Sequence, residues 1–218
     1  MDQLDGIERE IGGPVELSII WLHGLGADAS DFLPIVNELE LPTGVRFVFP
    51  NAPIRPVTIN GGMPMRAWYD IRGFNADAPQ DEAGLAASVQ IVERLIERET
   101  LRGLERQQVL LAGFSQGGAV VLHAGLGTAE PIGGIIGLST YLPCSASLLT
   151  KPLATTTPVF LAHGTHDPVL PLALGEWTRQ FLKAQGVAVE WSVYPMGHEV
   201  CFDEIRQLSR WLAGCASR

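Results

Sequence analysis

Gln-Val-Leu-Leu-Ala-Gly-Phe-Ser-Gln-Gly-Gly-Ala-Val-Val-Leu, residues 108–122, is the stretch of sequence that decides the fold. Its apolar first half predicts a buried strand, and the residues after Ser115 have the pattern of a buried helix. Ser115 therefore lies on a tight turn between the two, flanked by Gly113 and Gly117 as Gly-x-Ser-x-Gly. A turn of this kind presents a serine hydroxyl at the edge of a sheet and at the positive end of a helix, as a nucleophile requires.

Apolar runs like the one before Ser115 recur along the chain and alternate with helical patterns. Most of the predicted strands are continuously apolar, as in a sheet covered on both faces. They span residues 15–22, 45–49, 109–112, 135–139, 158–162 and 187–194. Helical spacing follows Asp31, Asp81, Gln116, Leu172 and Asp203, and helix ends are predicted at Gly186 and Gly214. This alternation predicts an α/β protein, with residues 1–218 forming one domain.

Charge and composition exclude several classes of protein. Lys and Arg number 15 against 24 Asp and Glu, a net charge of −9, which opposes binding to a nucleic-acid backbone. No apolar run approaches the roughly 20 residues of a membrane helix, and the acidic start is unlike a signal peptide. Three widely spaced cysteines fit neither a disulfide framework nor a zinc site. We expect a cytoplasmic protein without membrane insertion.

A neutral serine needs a histidine base and a carboxylate that orients it. Asp167 follows the predicted strand 158–162, and His198 follows the strand 187–194. The order Ser, Asp, His and the position of each residue after a strand bring all three to the carboxyl edge of a parallel sheet. The sequence therefore predicts a catalytic triad of Ser115, Asp167 and His198.

Three other histidines have structural alternatives. His123 lies about two helical turns after Ser115, which favours packing over catalysis. His163 and His166 flank Asp167 and raise the possibility of a metal site, but no third ligand has suitable spacing. We predict no metal and no organic cofactor.

The oxyanion of an acyl-transfer intermediate needs backbone donors. The amide of Gln116, directly after the nucleophile, is one candidate, and the amide of Leu25 in the loop His23-Gly-Leu-Gly26 is the other. Residues 24–29 also match the dinucleotide pattern Gly-x-Gly-x-x-Ala. That pattern expects an acidic residue after the second strand, where this chain has Pro50-Asn51.

Six motifs together resemble the small carboxylesterase and acyl-protein thioesterase family of α/β-hydrolases, also called the phospholipase/carboxylesterase family. They are His23-Gly-Leu-Gly, Trp68-Tyr-Asp70, Gly113-Phe-Ser-Gln-Gly-Gly118, Leu138-Ser-Thr-Tyr, His163-Gly-x-x-Asp167 and Gly197-His198. The resemblance runs in order from about Leu17 to Leu212. It implies the triad and oxyanion amides named above on an α/β-hydrolase fold, and dimer formation is common in the family.

The long irregular segment of residues 51–80 contains an Asn60-Gly61 turn signal and is too apolar for a disordered loop. With the stretch 141–157 it is expected to cover the site, because no insertion between Ser115 and His198 is long enough for a lid domain. The apolar residues expected to line a shallow acyl groove are Met63, Met65, Trp68, Leu142 and Leu148. The alternative for two or three of them is packing of the segment onto the body of the protein.

These expectations define one main hypothesis and its rivals. The main hypothesis is a serine carboxylesterase that cleaves short-to-medium acyl esters through an acyl-enzyme. An acyl-protein thioesterase or a lysophospholipase would use the same triad, and a homodimer is possible. A non-catalytic hydrolase-fold binding protein is the alternative from another class, although such a protein is expected to have lost a triad position.

Overall fold

The computed structural model of the protein describes residues 5–73, 78–128, 130–150 and 152–216. Within these residues, the strands are β1 (Gly6–Ile11), β2 (Val15–Leu22), β3 (Gly44–Pro50), β4 (Ile54–Val57), β5 (Met63–Arg66), β6 (Val109–Phe114), β7 (Gly134–Leu138), β8 (Val159–Gly164) and β9 (Val189–Tyr194). The helices are α1 (Leu33–Val36), α2 (Glu82–Leu101), α3 (Gln116–Leu126), α4 (Ser145–Leu148), α5 (Leu172–Ala184) and α6 (Phe202–Ala216). Two short 3₁₀ turns lie at Thr58–Asn60 and Arg106–Gln108.

Seven strands form one twisted sheet in the order β1-β3-β2-β6-β7-β8-β9. β1 runs antiparallel to β3, and every other pair in this sheet is parallel. The predicted α/β class with a mainly parallel sheet is therefore confirmed. Because the six parallel strands share one direction, the loops after β2, β6, β7, β8 and β9 all emerge at the same edge.

Helices cover both faces of the sheet. In β2, Ile20 and Leu22 join the apolar cluster under α2, α3 and α5, and Ile19 and Trp21 join the cluster under α1 and α6. A strand with apolar neighbours on both faces has no polar alternation. This is why most of the parallel strands are visible in the sequence as continuous apolar runs. The edge strand β9 is the exception, with Glu190 and Ser192 between apolar residues. Each boundary of the six parallel strands lies within two residues of the prediction.

Three features differ from the sequence-based expectations. β1 is absent from those expectations, because it is a sheet-edge strand with three consecutive charged residues at its centre. Its Glu8 pairs with Arg98 and Arg102 of the α2 region. The helical pattern after Asp31 gives only the four residues of α1. The helix end predicted at Gly214 is wrong, since α6 continues to Ala216 and buries Cys215 beyond the glycine.

The irregular segment 51–80 begins with an antiparallel hairpin. β4 pairs with β5, and the turn between them contains Gly61 and Gly62 with φ of 68° and 78°. These angles lie in the left-handed region that glycine adopts without strain, so the hairpin predicted from Asn60-Gly61 is confirmed. Residues 74–77 of the segment lie outside the described residues.

Among the described residues, no helix combines the length and the apolar character needed to cross a membrane. Cys144, Cys201 and Cys215 form no disulfide with one another. The cytoplasmic location stays a prediction from the sequence.

Candidate active site

Ser115 occupies a strained turn between the end of β6 and the start of α3, as predicted. Its φ of 53° and ψ of −117° are unusual for a residue with a side chain. Two hydrogen bonds hold the backbone there: the Ser115 N–H donates to the Leu138 carbonyl at 2.9 Å, and the Thr140 hydroxyl donates to the Ser115 carbonyl at 2.7 Å. The neighbouring strand β7 thus supports the turn.

The two glycines of the motif are required by close packing. A Cβ on Gly113 would lie 2.4 Å from the Gly117 carbonyl carbon, and one on Gly117 would lie 2.4 Å from the Leu22 carbonyl oxygen. These separations are far below van der Waals contact, so any side chain would push α3 away from β2 and β6. The spacing Gly-x-Ser-x-Gly therefore follows from how tightly the helix meets the sheet.

Asp167 and His198 are directly hydrogen-bonded. The His198 Nδ1 atom lies 2.7 Å from the Asp167 Oδ2 atom, and the carboxylate is buried while the imidazole is partly exposed. The other carboxylate oxygen, Oδ1, accepts the N–H groups of Val169 and Leu170, both at 2.8 Å. Since a carboxylate only accepts, Nδ1 carries the hydrogen and the Nε2 lone pair of a neutral His198 is free to accept a proton.

Backbone contacts bring the loops of the site together. The His166 N–H donates to the Met196 carbonyl, and the Thr165 N–H donates to the Tyr194 carbonyl, which joins the loop after β8 to the loop after β9. The His198 ring packs on Phe114, the residue before Ser115, with ring centroids 4.7 Å apart. Ser115, Asp167 and His198 are therefore gathered at one edge of the sheet.

The loop after β2 lies against the nucleophile. A Cβ on Gly24 would be 3.2 Å from the Phe114 ring and 3.5 Å from the Ser115 Cβ, so this loop packs closely on the strand end that carries the nucleophile. Within the part of the chain that the structure describes, the N–H groups of Leu25 and Gln116 have no acceptor. The dinucleotide alternative for this loop lacks its helix, because α1 begins only at Leu33 and has four residues.

The Gln116 side chain has a structural task that the sequence analysis missed. Its Oε1 accepts the Trp68 N–H at 2.9 Å, and its Nε2 donates to the Tyr69 carbonyl at 2.7 Å. The side chain is almost fully buried. It therefore joins the segment 51–80 to the start of α3. The sequence feature that could have indicated this contact is a glutamine directly after the nucleophile and before two glycines.

Two of the predicted groove residues are core residues. Trp68 has no exposed surface, and its indole N–H donates to the His23 carbonyl at 2.9 Å. Leu142 is 4% exposed, and its N–H donates to the Thr178 hydroxyl. Both side chains are packed in the core, as in the packing alternative for two or three of these residues, and their burial does not support a place for Trp68 or Leu142 in the groove.

Met63 and Met65 are placed differently from these two. Met63 is 62% exposed on β5. The Met65 sulfur would lie 3.7 Å from a Cβ on Gly26, which puts it beside the loop of the predicted oxyanion amides. These two residues remain candidates for contact with an acyl chain.

Leu148 lines a different cavity. This cavity has a volume of about 300 Å³ and lies between α2, α3 and the region of α4, with Leu85, Val89 and His123 among its lining residues. Neither Ser115 nor His198 borders it. The structure therefore places Leu148 at this cavity, and nothing in it supports the predicted contribution of Leu148 to a groove at the site.

A pair of tyrosines connects the two segments that are expected to cover the site. The Tyr69 and Tyr141 hydroxyls are 2.9 Å apart, which joins the segment 51–80 to the stretch after β7. Burial raises the pKa of Tyr141 to about 12 and that of Tyr69 well above its usual value, so both phenols stay neutral. The hydrogen bond between the two hydroxyls restricts the motion of both segments.

The remaining histidines have separate environments. Burial lowers the pKa of His123, and its Nε2 lies 2.7 Å from the Pro143 carbonyl oxygen, in line with the packing role predicted for it. His163 is buried with Nε2 2.9 Å from the Leu170 carbonyl oxygen, whereas His166 is exposed. Among the described residues, no group of three or more His, Cys, Asp or Glu could hold a metal ion.

Glu204 is a buried carboxyl close to the loop that carries His198. It lies in the first turn of α6 with no exposed surface, and its Oε2 accepts the Cys201 N–H at 3.4 Å. Its Oε1 has no partner among the described residues. Burial raises the pKa of Glu204 from 4.5 to about 8, so the folded protein holds this carboxyl protonated at neutral pH.

We expect this carboxyl to lower the stability of the protein as the pH rises. Below pH 4.5 both states bind the proton, and between pH 4.5 and about 8 only the unfolded state releases it, so the free energy of unfolding falls with increasing pH. The loss is about 1.4 kcal/mol per pH unit over that window. Glu204→Gln should remove this slope. Its free energy of unfolding in urea, relative to that of wild type, should therefore increase from pH 5 to pH 8.

A matched control for Glu204→Gln is available in the same turn. Asp203→Asn removes an exposed carboxylate that pairs with Arg206 at 3.7 Å. The free energy of unfolding of Asp203→Asn should change with pH in the same way as that of wild type. Parallel curves for Glu204→Gln as well would contradict the protonated state assigned to Glu204.

The chain is similar in sequence to known ester hydrolases. The sequence model of the phospholipase/carboxylesterase family matches residues 10–216. Acyl-protein thioesterase 1 of Mycosarcoma maydis is 40% identical over 214 residues, covering 89% of each chain. Carboxylesterase SOBER1 of Arabidopsis thaliana is 33% identical over 201 residues, covering 89% of this chain and 88% of its own.

Solved structures agree in fold over nearly the whole chain. The crystal structure of Arabidopsis thaliana SOBER1 superposes with a TM-score of 0.86 at 31% identity, covering 92% of this chain and 99% of that one. Zea mays acyl-protein thioesterase 2 gives a TM-score of 0.85 at 28% identity, covering 97% and 99%. The chain therefore belongs to the phospholipase/carboxylesterase family and is an ester hydrolase with the α/β-hydrolase fold.

Proposed function

We propose that the protein hydrolyses carboxylic esters and thioesters through an acyl-enzyme formed on Ser115. The observation that supports this most directly is the 2.7 Å contact between His198 Nδ1 and Asp167 Oδ2, made beside a serine held at φ 53°. A histidine oriented in this way has a free Nε2 lone pair, which is what a serine nucleophile needs from its base. No metal or organic cofactor enters the scheme.

The proposed reaction has two halves. The Ser115 hydroxyl oxygen attacks the acyl carbon while His198 Nε2 takes its proton, and the amides of Leu25 and Gln116 bind the oxyanion. Collapse of this intermediate expels the alcohol or thiol, which leaves with the proton from His198, and the acyl group stays on Ser115. Water then gives a proton to His198 and attacks the acyl-enzyme, which releases the carboxylic acid and restores the Ser115 hydroxyl.

A thioesterase activity is the second candidate for the main substrate class. It is supported by the acyl-protein thioesterases among the relatives, one of them 40% identical to this chain. Lysophospholipase activity would use the same groups and stays a third option. The leaving group distinguishes these substrates, and His198 is the residue proposed to give that group its proton.

We propose a preference for short-to-medium acyl chains. Met63 and Met65 supply apolar surface on the hairpin, whereas Trp68 and Leu142 are occupied in the core. A short apolar wall stabilises an acyl chain by about 0.8 kcal/mol per covered methylene and then stops contributing. A homodimer is also proposed from the family resemblance, and it is testable by the mass of the protein in solution.

We expect kcat/KM on a matched series of nitrophenyl esters to rise over the first few methylenes and then level or fall. Ser115 should be the residue modified by a fluorophosphonate probe, as identified by peptide mass spectrometry. A parallel series of acyl thioesters compares the two leaving groups at equal chain length. A protein that binds these esters without turnover or labelling would be the non-catalytic binding protein instead.

The contribution of Met65 to the dependence on acyl-chain length is tested with a matched pair of variants, Met65→Leu and Met65→Ala. Leucine keeps most of the apolar surface beside Gly26, whereas alanine removes it, so only Met65→Ala should flatten the dependence on chain length. A sharp rise in rate above the solubility limit of the ester, or best activity on emulsified long-chain triglyceride, would contradict the proposed preference.

A further inference from the structure

His23 lies at the centre of three contacts that hold the loop after β2. Its Nδ1 atom is 2.7 Å from the Gly24 carbonyl oxygen, and its Nε2 accepts the Ala52 N–H at 3.0 Å. Its own carbonyl accepts the Trp68 indole N–H at 2.9 Å, and the two rings are 5.3 Å apart. The imidazole is 2% exposed, so it meets no substrate.

These contacts determine the tautomer of His23. Because Nε2 accepts a hydrogen bond from a backbone N–H, the ring hydrogen is on Nδ1, and Nδ1 donates to the Gly24 carbonyl. Burial lowers the pKa of His23, which favours the same neutral ring. The Gly24 carbonyl is therefore fixed toward the buried interior.

The direction of the Gly24 carbonyl also fixes the direction of the Leu25 N–H. The described residues contain no cis peptide bond, and in a planar trans peptide the C=O and the following N–H point in opposite directions. With its carbonyl turned in toward His23, the Gly24–Leu25 peptide turns the Leu25 N–H away from the interior. Gly24 itself lies against Ser115, because a Cβ added to this glycine would come within 3.5 Å of the Ser115 Cβ.

We propose that His23 is a positioning residue for the oxyanion donor: its Nδ1–H bond to the Gly24 carbonyl holds the Gly24–Leu25 peptide with the Leu25 N–H facing the reacting acyl group. This proposal rests on the proposed function, in which the Leu25 amide binds the oxyanion. Without the Nδ1–H bond, only the longer contact from the Ala27 N–H, at 3.3 Å, still holds the Gly24 carbonyl. The peptide is then less firmly fixed, and a carbonyl oxygen in place of the N–H would repel the developing negative charge.

A matched pair of variants separates the two hydrogen bonds of the ring. In His23→Asn, the side-chain amide reaches the position of Nδ1 and can donate to the Gly24 carbonyl, but the acceptor for Ala52 is lost. In His23→Gln, the side-chain carbonyl reaches the position of Nε2 and can accept the Ala52 N–H, but the donor to Gly24 is lost. Each variant removes one buried hydrogen bond and the contact with Trp68, so both should be destabilised to a similar degree.

We expect His23→Gln to lose kcat by a factor on the order of 10² to 10³, as for the loss of one oxyanion donor, with KM little changed. His23→Asn should stay within about tenfold of wild type, because it keeps the Gly24 bond. Inhibition by a trifluoromethyl ketone, whose adduct carries the oxyanion, should weaken in His23→Gln by a similar factor to kcat/KM. Melting temperatures of both variants, measured alongside, show whether they remain folded.

The His23 variants test the positioning role of His23, and labelling of Ser115 tests the proposed function separately. Equal losses of kcat in the two variants, in step with their melting temperatures, would assign His23 a structural role only and overturn the proposal. A greater loss in His23→Asn than in His23→Gln would overturn it as well. Fluorophosphonate labelling of Ser115 in the wild-type protein is read separately: if that labelling fails, the proposed function fails whatever the His23 variants do.

Discussion

Ser115→Ala should reduce kcat for ester hydrolysis by a factor on the order of 10⁴ to 10⁶, leaving only the contribution of the oxyanion donors and substrate binding. The reason is chemical, because alanine offers no oxygen to form the acyl-enzyme. Stability should hardly change. The Ser115 hydroxyl has no hydrogen-bond partner among the described residues, and alanine keeps the Cβ that causes the backbone strain at φ 53°.

Ser115→Gly is the control for this interpretation. Glycine adopts a positive φ without strain, so this variant should be more stable than wild type by about 1 kcal/mol while being equally inactive. Turnover of a nitrophenyl ester and thermal unfolding are measured on all three proteins. A well-folded Ser115→Ala protein that kept a tenth of the activity would show that another residue is the nucleophile.

The features that the sequence predicted are those set by local chemistry. Continuous apolar runs identified the inner parallel strands such as β2, β6 and β8, because each has buried neighbours on both faces of the sheet. The turn at Ser115 was predictable because only glycines at 113 and 117 permit the close approach of α3. The edge of the sheet where the loops meet then followed from the common direction of the strands.

The features that the sequence did not predict depend on distant partners. Trp68 was expected in a groove, but whether an aromatic residue faces a substrate or the core depends on the His23 carbonyl and Gln116, 45 and 48 residues away in the chain. The helix α6 passes Gly214 because buried neighbours such as Trp211 outweigh the helix propensity of one glycine. The strand β1 pairs with β3, about 40 residues away in the chain, and its Glu8 pairs with Arg98 of α2, and no local pattern reveals either contact.

Asp167→Asn is the second change with a large expected effect, because the surroundings of Asp167 dictate which way the new amide faces. Oδ1 accepts the N–H groups of Val169 and Leu170, so the amide oxygen must occupy that position. The amide NH₂ then faces His198 Nδ1, where Oδ2 was 2.7 Å away. Two donors cannot bond, so His198 places its hydrogen on Nε2 and presents an acceptor at Nδ1.

A His198 ring protonated on Nε2 has no lone pair there and cannot take the serine proton. We expect Asp167→Asn to lose kcat by a factor on the order of 10⁴, as in other serine hydrolases with the corresponding change. Its melting temperature should stay near that of wild type, because the bonds to Val169 and Leu170 remain. Asp28→Asn is the matched control: it removes one carboxylate from the loop near Ser115 and keeps the bond to the Ser30 N–H.

Asp167→Ala separates the two tasks of this carboxylate. It removes both backbone bonds along with the contact to His198, so it should lower the melting temperature as well as kcat, whereas Asp167→Asn lowers kcat alone. The comparison is made with the ester used for Ser115→Ala, at a pH where wild type is fully active. An Asp167→Asn protein with more than a tenth of wild-type kcat would mean that Asp167 only holds the loop, and that His198 is oriented by something other than this bond.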